Sequence, residues 1–373
     1  MPRLAPFLLR KARTNHVLLP LLLRECRDLL SARNELRWLK EHAYESNGLP
    51  AELATPPPPG LESSMSRAVW QTLVRNVQRR STGEPLQYII GTQPFGDLEI
   101  LCRQDVLIPR PETEAYTRRL ASLLKSQQQK TGFGVDGLRI LDLCSGTGCI
   151  SILLHSLLKP ARSGGTRKVE IIGIDISEDA LALANDNIQH NIGENLLHLS
   201  AVTDVSFKRG SVFDLCDELK DQGQDGLQQS IFGSNIRFDV LVANPPYISP
   251  RDYGLGGTTA RSVREYEPKL ALVPDLSNGA QDGDAFYRPL LDIALKVKAS
   301  FVVLETGDHS QALRVRLMAI KMYRSDDRSA YVELWDDHGD VVELGNEGGQ
   351  RARSVVSWTR DAERLWKIER EQR

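Results

Sequence analysis

The spacing of apolar positions changes character three times along the chain. From Leu18 to about Ala43 apolar residues recur at helical intervals (Leu22, Cys26, Leu29, Leu30, Leu36, Leu39) with Arg, Asp and Glu between them, which predicts one or two helices. Ser66 to Arg80 repeats that period through Val69, Leu73 and Val77 and ends in Arg79-Arg80. The intervening Thr55–Gly60, TPPPPG, predicts a stiff extended loop, because proline fixes φ and lacks an N–H. Gly83 to Ile100 alternates apolar and polar residues around Gly91 and Gly96, the pattern of a hairpin. It runs into VLIPRPETE, Val106 to Glu114, where Pro109 and Pro111 end an extended piece and Glu112, Thr113 and Glu114 open a helix through Leu120 and Leu124.

Beyond this point short apolar runs alternate with helical segments. The runs are Leu138–Leu143, Val169–Ile174, Phe207–Phe213, Val240–Ala243 and Phe301–Glu305; the helices start near Cys149, at Ser177 as N-cap, and over Asp284–Lys298 and Gln311–Lys321. Short runs centred on apolar residues in such alternation, with Val240–Ala243 apolar throughout, predict parallel strands covered on both faces, that is, a doubly wound α/β sheet. Ala330–Trp335 and Arg353–Trp358 would close it as an antiparallel end. Gly223–Ser234 reads as a surface loop, Arg251–Pro268 as a lid, and Thr359–Arg373 as a charged capping helix. The expected domains are 1–82, helical and substrate-recognising; 83–110, a hairpin linker; and 111–373, the α/β domain, which 373 residues can accommodate.

Charge narrows the possible partners. With 47 basic against 49 acidic residues there is no general attraction for nucleic acid, and no apolar run has the length of a membrane span. The five cysteines (Cys26, Cys102, Cys144, Cys149, Cys216) are scattered without a Cys-x-x-Cys pair, which reads as reduced thiols and no metal site. The first 24 residues hold Arg3, Arg10, Lys11, Arg13 and Arg24 and no acid. Mitochondrial presequences have that composition, so mitochondrial import is expected, with a cytoplasmic chain whose first helix starts there as the alternative.

Three sites carry chemistry. In GLRILDLCSGTGCIS, Gly137 to Ser151, a buried strand leads into Gly146 and Gly148, which permit a tight turn and close ligand approach, and then into a helix. A dinucleotide fingerprint needs a third glycine where Ser151 stands. S-adenosyl-methionine has no pyrophosphate and needs only the turn, with Asp142 placed for its cationic amino-acid end. Asp175 ends the next strand, where a carboxylate can accept both ribose hydroxyls, and Ser211 and Val212 follow the third strand at the adenine edge. The third site is Asn244-Pro245-Pro246-Tyr247, a rigid lip where Val240–Ala243 must stop. There the Asn244 oxygen and the Pro245 carbonyl could accept the two N–H groups of a planar NH₂, Pro246 would stiffen the turn, and Tyr247 would offer an aromatic face. That arrangement suits methyl transfer to a weakly basic nitrogen, although an ordinary Asn-Pro turn would read alike.

EPLQYIIG, LIPRPETE, DLCSGTGCIS, IDIS, VANPPYI, YEPKLAL and LETG, with the antiparallel end, make residues 80 to 358 resemble the HemK/PrmC family of protein-(glutamine-N5) methyltransferases. The resemblance implies a seven-stranded class I S-adenosyl-methionine methyltransferase sheet with a helical N-terminal domain, working as a monomer. Cys144, Ser145, Gly146, Thr147, Gly148, Asp175 and Val212 would then hold cofactor, and Asn244 to Tyr247 the glutamine of a Gly-Gly-Gln loop in a class I peptide-chain release factor. A nucleic-acid amino-methyltransferase, acting on adenine N6 or guanine N2, would share the lip and is the alternative. Three positions depart from the family pattern: Ser211 stands where many relatives carry an acid, Gln311 is shifted by about a residue, and the turn Asp336 to Gln350 is long. That turn ends in Gly348-Gly349-Gln350, a chance tripeptide or a weak pseudosubstrate.

Overall fold

A computed structural model describes residues 4–54, 65–131, 137–161, 168–221, 231–232, 235–274, 283–326, 330–342 and 352–359. Thr55–Gly60, most of Gly223–Ser234, the Gly348–Gln350 tripeptide and the stretch beyond Thr359 lie outside the described residues. The chain divides into two compact units, Met1–Thr92 with Ala260–Tyr266, and Gln93–Thr259 with Glu267–Arg373.

The first unit is helical. Leu18 to Ala43 becomes two helices, Leu19–Cys26 and Leu29–Glu45, because Arg27 adopts a left-handed φ of 65° and the Asp28 side chain caps the second helix by accepting from Ser31 N at 2.8 Å. Leu22, Leu39, Leu73 and Val77 are fully buried along the predicted stripes, and Leu23 joins them from outside the stripe, whereas Leu30 is 69 % exposed. The basic opening stretch also folds: Pro6–Asn15 is a helix whose Ala12 is buried in the same core. Arg79 and Arg80 are engaged, forking onto Glu84 and Glu35 respectively.

The expected hairpin over Gly83–Ile100 is corrected. Leu86–Ile90 is a helix ended by Gly91 at φ 92°, and only Thr92–Phe95 (β1) and Leu98–Leu101 (β2) form the hairpin. Leu86 and Ile89 are three residues apart and both bury in the helical core, so the period here is that of a helix, which five residues were too few to reveal.

The second unit holds a seven-stranded sheet. Its strands are β3 (Leu138–Leu143), β4 (Val169–Asp175), β5 (Val205–Arg209), β6 (Val240–Ala243), β7 (Phe301–Glu305), β8 (Ala330–Asp336) and β9 (Ala352–Thr359), in the order β5-β4-β3-β6-β7-β9-β8. All are parallel through β7, and β9 is antiparallel to β7 and β8. Ile140, Val240, Val242 and Val303 pack into one core while Leu141, Leu143, Leu241 and Leu304 pack into the other, so alternate residues of each strand face opposite layers. Fully burying one such side chain stabilises the fold by about 1.5–3 kcal/mol, which is why apolar residues dominate the central strands.

Register places the chemistry. Ala243 pairs with Leu143 on one side and Leu304 on the other, so Asn244, one residue on, emerges between Cys144 and Glu305. The run Phe207–Phe213 leaves the strand earlier than its sequence suggests: β5 stops at Arg209, and Phe213 already lies in the helix Val212–Asp221. The Ser211 hydroxyl caps that helix, accepting from Phe213 N and Asp214 N.

Candidate active site

At the carboxyl ends of β3, β4, β5 and β6 lies a cavity of about 410 Å³, the edge at which open α/β sheets take ligands. Cys144, Gly146, Asp175, Ser211, Val212, Asn244 and Pro246 line it. Its apolar wall includes Val106, Leu107, Leu270, Phe213 and Phe286, the last two with ring centroids 4.8 Å apart.

The loop after β3 fits S-adenosyl-methionine by two observations. Gly146 sits at φ 52° with nothing within 4 Å of where a Cβ would be, so backbone conformation demands the glycine and the space above it stays open. At Gly148 a Cβ would lie 2.6 Å from the Phe207 ring, so that glycine serves packing. Asp175 is held in place by Gly146 N at 2.8 Å and Ser177 N at 2.9 Å, and a carboxylate so held still has lone pairs for a diol. Asp142 is wholly buried: one oxygen accepts from Ser151 Oγ at 2.7 Å, and the other has no partner. Burial pushes its carboxyl up to about 7 against the pull of Ser151. An orphaned buried carboxylate oxygen is costly, and a cationic donor would relieve it. The residue that breaks the dinucleotide fingerprint, Ser151, is therefore Asp142's partner.

The lip is braced from behind. Pro245 and Pro246 are buried, and the Asn244 amide nitrogen donates to Thr113 Oγ1 at 3.3 Å. Thr113 in turn donates to Glu305 Oε2 at 2.6 Å, and Tyr247 Oη donates to Glu305 Oε1 at 3.2 Å. Glu305 is 2 % exposed, and burial lifts its carboxyl to about 7, opposed by the Thr113 and Tyr247 hydrogen bonds. The Tyr247 ring lies against Gly307, where a Cβ would come within 2.9 Å, and its backbone carbonyl accepts from Gln311 Nε2 at 3.2 Å. Gln311 also accepts from Gly307 N and donates to Asp284, so this shifted glutamine ties the lip to the end of β7. Glu267 clasps Arg110 at 2.7 Å and accepts from Ile108 N, fixing the LIPRPETE segment.

The structure thus brings seven of the sequence-predicted residues to one cavity. Asp142 lies buried apart from its wall, as do Ser145 and Thr147; Gly148, Pro245 and Tyr247 also stand outside the lining. Sequence reasoning gave no role to Thr113, Glu305, Leu107 or Phe286. The first two lie in LIPRPETE and LETG, where the motif was visible but the contact was not, since 192 residues separate them. Among the described residues no cluster of His, Cys, Asp or Glu could hold a metal ion, and no helix is long and apolar enough to cross a membrane.

A seven-stranded sheet with this reversed end strand, a glycine turn, an acid at the end of β4 and an Asn-Pro-Pro-Tyr lip defines a class I S-adenosyl-methionine-dependent methyltransferase. Residues 135–245 match the family described as Methyltransferase domain, and residues 60–91 that described as PrmC N-terminal domain. The chain is 30 % identical over 370 residues to the probable MRF1 mitochondrial N(5)-glutamine methyltransferase mtq1 of Schizosaccharomyces pombe, covering 97 % of each chain. It is 32 % identical to the release factor glutamine methyltransferase of Pasteurella multocida, over 68 % of this chain and 74 % of that one. To the mitochondrial MRF1 N(5)-glutamine methyltransferase MTQ1 of Saccharomyces cerevisiae it is 31 % identical, over 74 % and 69 %. The chain belongs to the release factor glutamine methyltransferase family.

Proposed function

We propose that the chain transfers a methyl group from S-adenosyl-methionine to the side-chain N5 of the glutamine in a Gly-Gly-Gln loop of a mitochondrial class I release factor. The observation that carries this is the position of Asn244 and Pro246 on the wall of the cavity that Asp175 and Gly146 also line. Asn244, one of the two acceptors suited to a flat NH₂ group, thereby opens onto the cofactor's place. Bound there, the cofactor supplies an electrophilic sulfonium methyl.

The chain's own work is positioning. Asn244 Oδ1 and the Pro245 carbonyl accept the two amide N–H groups, hold the plane of the amide, and turn the nitrogen lone pair toward the methyl. Tyr247, tied to Glu305, stiffens the turn and is the aromatic neighbour of the substrate amide. Asp142, Cys144 to Gly148, Asp175, Ser211 and Val212 hold the cofactor. The amide proton becomes acidic only as the methyl arrives, so water or the Asn244 oxygen can take it up. Residues 1–82 serve as the substrate-recognising part, 83–110 as linker and 111–373 as the catalytic part, in a monomer.

The test is methyl transfer from labelled cofactor to a Gly-Gly-Gln release factor, to the same factor carrying Ala in place of that Gln, and to tRNA, rRNA and DNA. Label on the first alone is expected; label on any nucleic acid would favour the amino-methyltransferase reading instead. A mitochondrial site of action, supported by the two yeast relatives, is checked by locating the tagged full chain in fractionated cells, where a purely cytosolic signal would overturn it.

A further inference from the structure

We propose that Glu305, acting through Thr113, is the positioning residue that decides which way the Asn244 amide faces, an inference that rests on the methyl-transfer reading above. An asparagine side chain is nearly symmetric in shape, and turning it over exchanges the acceptor for a donor. A donor at that position would repel a substrate NH₂ rather than hold it. The lip alone does not prevent this, because nothing in Asn-Pro-Pro-Tyr distinguishes the two amide ends.

The buried network behind it does. When ionised, Glu305 only accepts, so both groups on it then donate: Thr113 Oγ1 at 2.6 Å and Tyr247 Oη at 3.2 Å. Thr113 has a single hydroxyl hydrogen, and giving it to Glu305 leaves only lone pairs toward Asn244. The atom of Asn244 that lies 3.3 Å from Thr113 Oγ1 must therefore be the NH₂ nitrogen, and the oxygen is left as acceptor on the cavity side. The direction of the whole chain is set by the group at its buried end. Register makes the short chain possible, since Asn244 and Glu305 each follow the paired residues Ala243 and Leu304 of adjacent strands, while Thr113 enters on the helix Pro111–Thr131.

Glu305→Gln is nearly isosteric but brings an NH₂ that can donate to Thr113, freeing the Thr113 hydroxyl to point at Asn244 and reverse it. Thr113→Val keeps the volume and removes the relay; Thr113→Ser restores it. On a Gly-Gly-Gln release factor, kcat is expected to fall on the order of 100-fold in Glu305→Gln and in Thr113→Val, as for a reacting group held in the wrong orientation. Thr113→Ser should return to within about fivefold of the wild type, and cofactor Kd should move by less than about threefold throughout, because the lost interaction acts in the transition state. The double variant should be no slower than the slower single one, since both changes break one chain.

A readout independent of substrate uses the purified full chain with labelled asparagine side-chain nitrogens. The Asn244 amide signal should shift in Thr113→Val and Glu305→Gln and stay near its wild-type position in Thr113→Ser. An unmoved signal, a wild-type kcat in Thr113→Val, or a Thr113→Ser as slow as the Val variant would overturn the proposal. If the wild type itself leaves the release factor unmodified while the Asn244 signal behaves as described, the substrate reading fails and the positioning role stands.

Discussion

Two buried carboxylates flank the strand that carries the lip, and they are built to opposite ends. Asp142 on β3 and Glu305 on β7 are both sealed from solvent and both pushed up to about 7 by burial. Glu305 has donors on each oxygen, whereas Asp142 has Ser151 on one oxygen and nothing on the other. A buried group whose partners are all supplied by the chain is a fixed part of the frame. One left half-satisfied is an invitation to a ligand. The β7 side of the site is therefore complete before anything binds, and on the proposed reading the β3 side is completed by a cationic cofactor.

The largest expected effect comes from removing what stands between them. Asn244→Ala should lower kcat about 100- to 1000-fold, the range for losing a group that stabilises a transition state, while cofactor Kd stays near the wild-type value. If affinity for cofactor fell in step with kcat, the division into a cofactor side and a substrate side would be wrong. Next in size is Asp142→Asn, which removes the half-satisfied buried charge beneath the cofactor loop. Cofactor Kd should rise about 10- to 100-fold, the usual worth of one hydrogen bond to a charged partner, with kcat at saturating cofactor little changed. Equilibrium titration with cofactor followed by saturated turnover separates the two.

Acidity sharpens the contrast further. Both carboxyls are ionised above about 7 and protonated as pH falls through it, so cofactor affinity should weaken with Asp142 and kcat with Glu305. The groups that act on Glu305 are Arg110, Glu112, Tyr116, Cys149, Tyr287, Thr113 and Tyr247, and a cofactor whose cationic end takes the unpaired Asp142 oxygen would act on Asp142 first. In the complex, then, only the kcat profile should keep a midpoint near 7; Asp142, ionised by its new partner, should titrate lower. Folding responds with the matching sign. A carboxyl raised in the native state above its unfolded value near 4 adds stability that is present below that value and lost as pH rises through about 7. Asp142→Asn should therefore gain melting temperature over the wild type at pH near 8 relative to pH near 5, and a constant difference would deny that Asp142 is held neutral by burial.

How much of this the sequence discloses follows from the range of each interaction. Strands β3, β6 and β7 are legible because burial on both faces leaves a largely apolar run, and the glycine turn and lip are legible because their constraints are local. The helix Leu86–Ile90 is too short for its period to show, and the end of β5 depends on a Ser211 cap that a strand-like pattern hides. Glu305 belongs to a motif the sequence shows, but its role does not, since its partner Thr113 sits far back in the chain on a helix and the two meet only in the fold. Type and position point Asp142 at the cofactor; that it lies beneath the loop, bonded to Ser151, depends on the face of β3 it takes and on the helix that follows.

The smallest effect tests whether Tyr247 belongs to the frame or to the substrate surface. Its hydroxyl points at Glu305 and its ring is walled by Gly307, so Tyr247→Phe keeps the ring and loses one donor to the carboxylate. Losing a single hydrogen bond of about 1 kcal/mol should cost roughly fivefold in kcat, with Thr113 still setting the direction of Asn244. Because a donor to the ionised form holds a pKa down, its loss should also move the kcat midpoint upward, away from neutrality, with cofactor affinity unmoved. A Tyr247→Phe variant whose rate is normal but whose midpoint rises would place the hydroxyl wholly in the tuning of Glu305. One as slow as Asn244→Ala would mean that the hydroxyl meets the substrate, and that the β7 side, like the β3 side, is left for a ligand to finish.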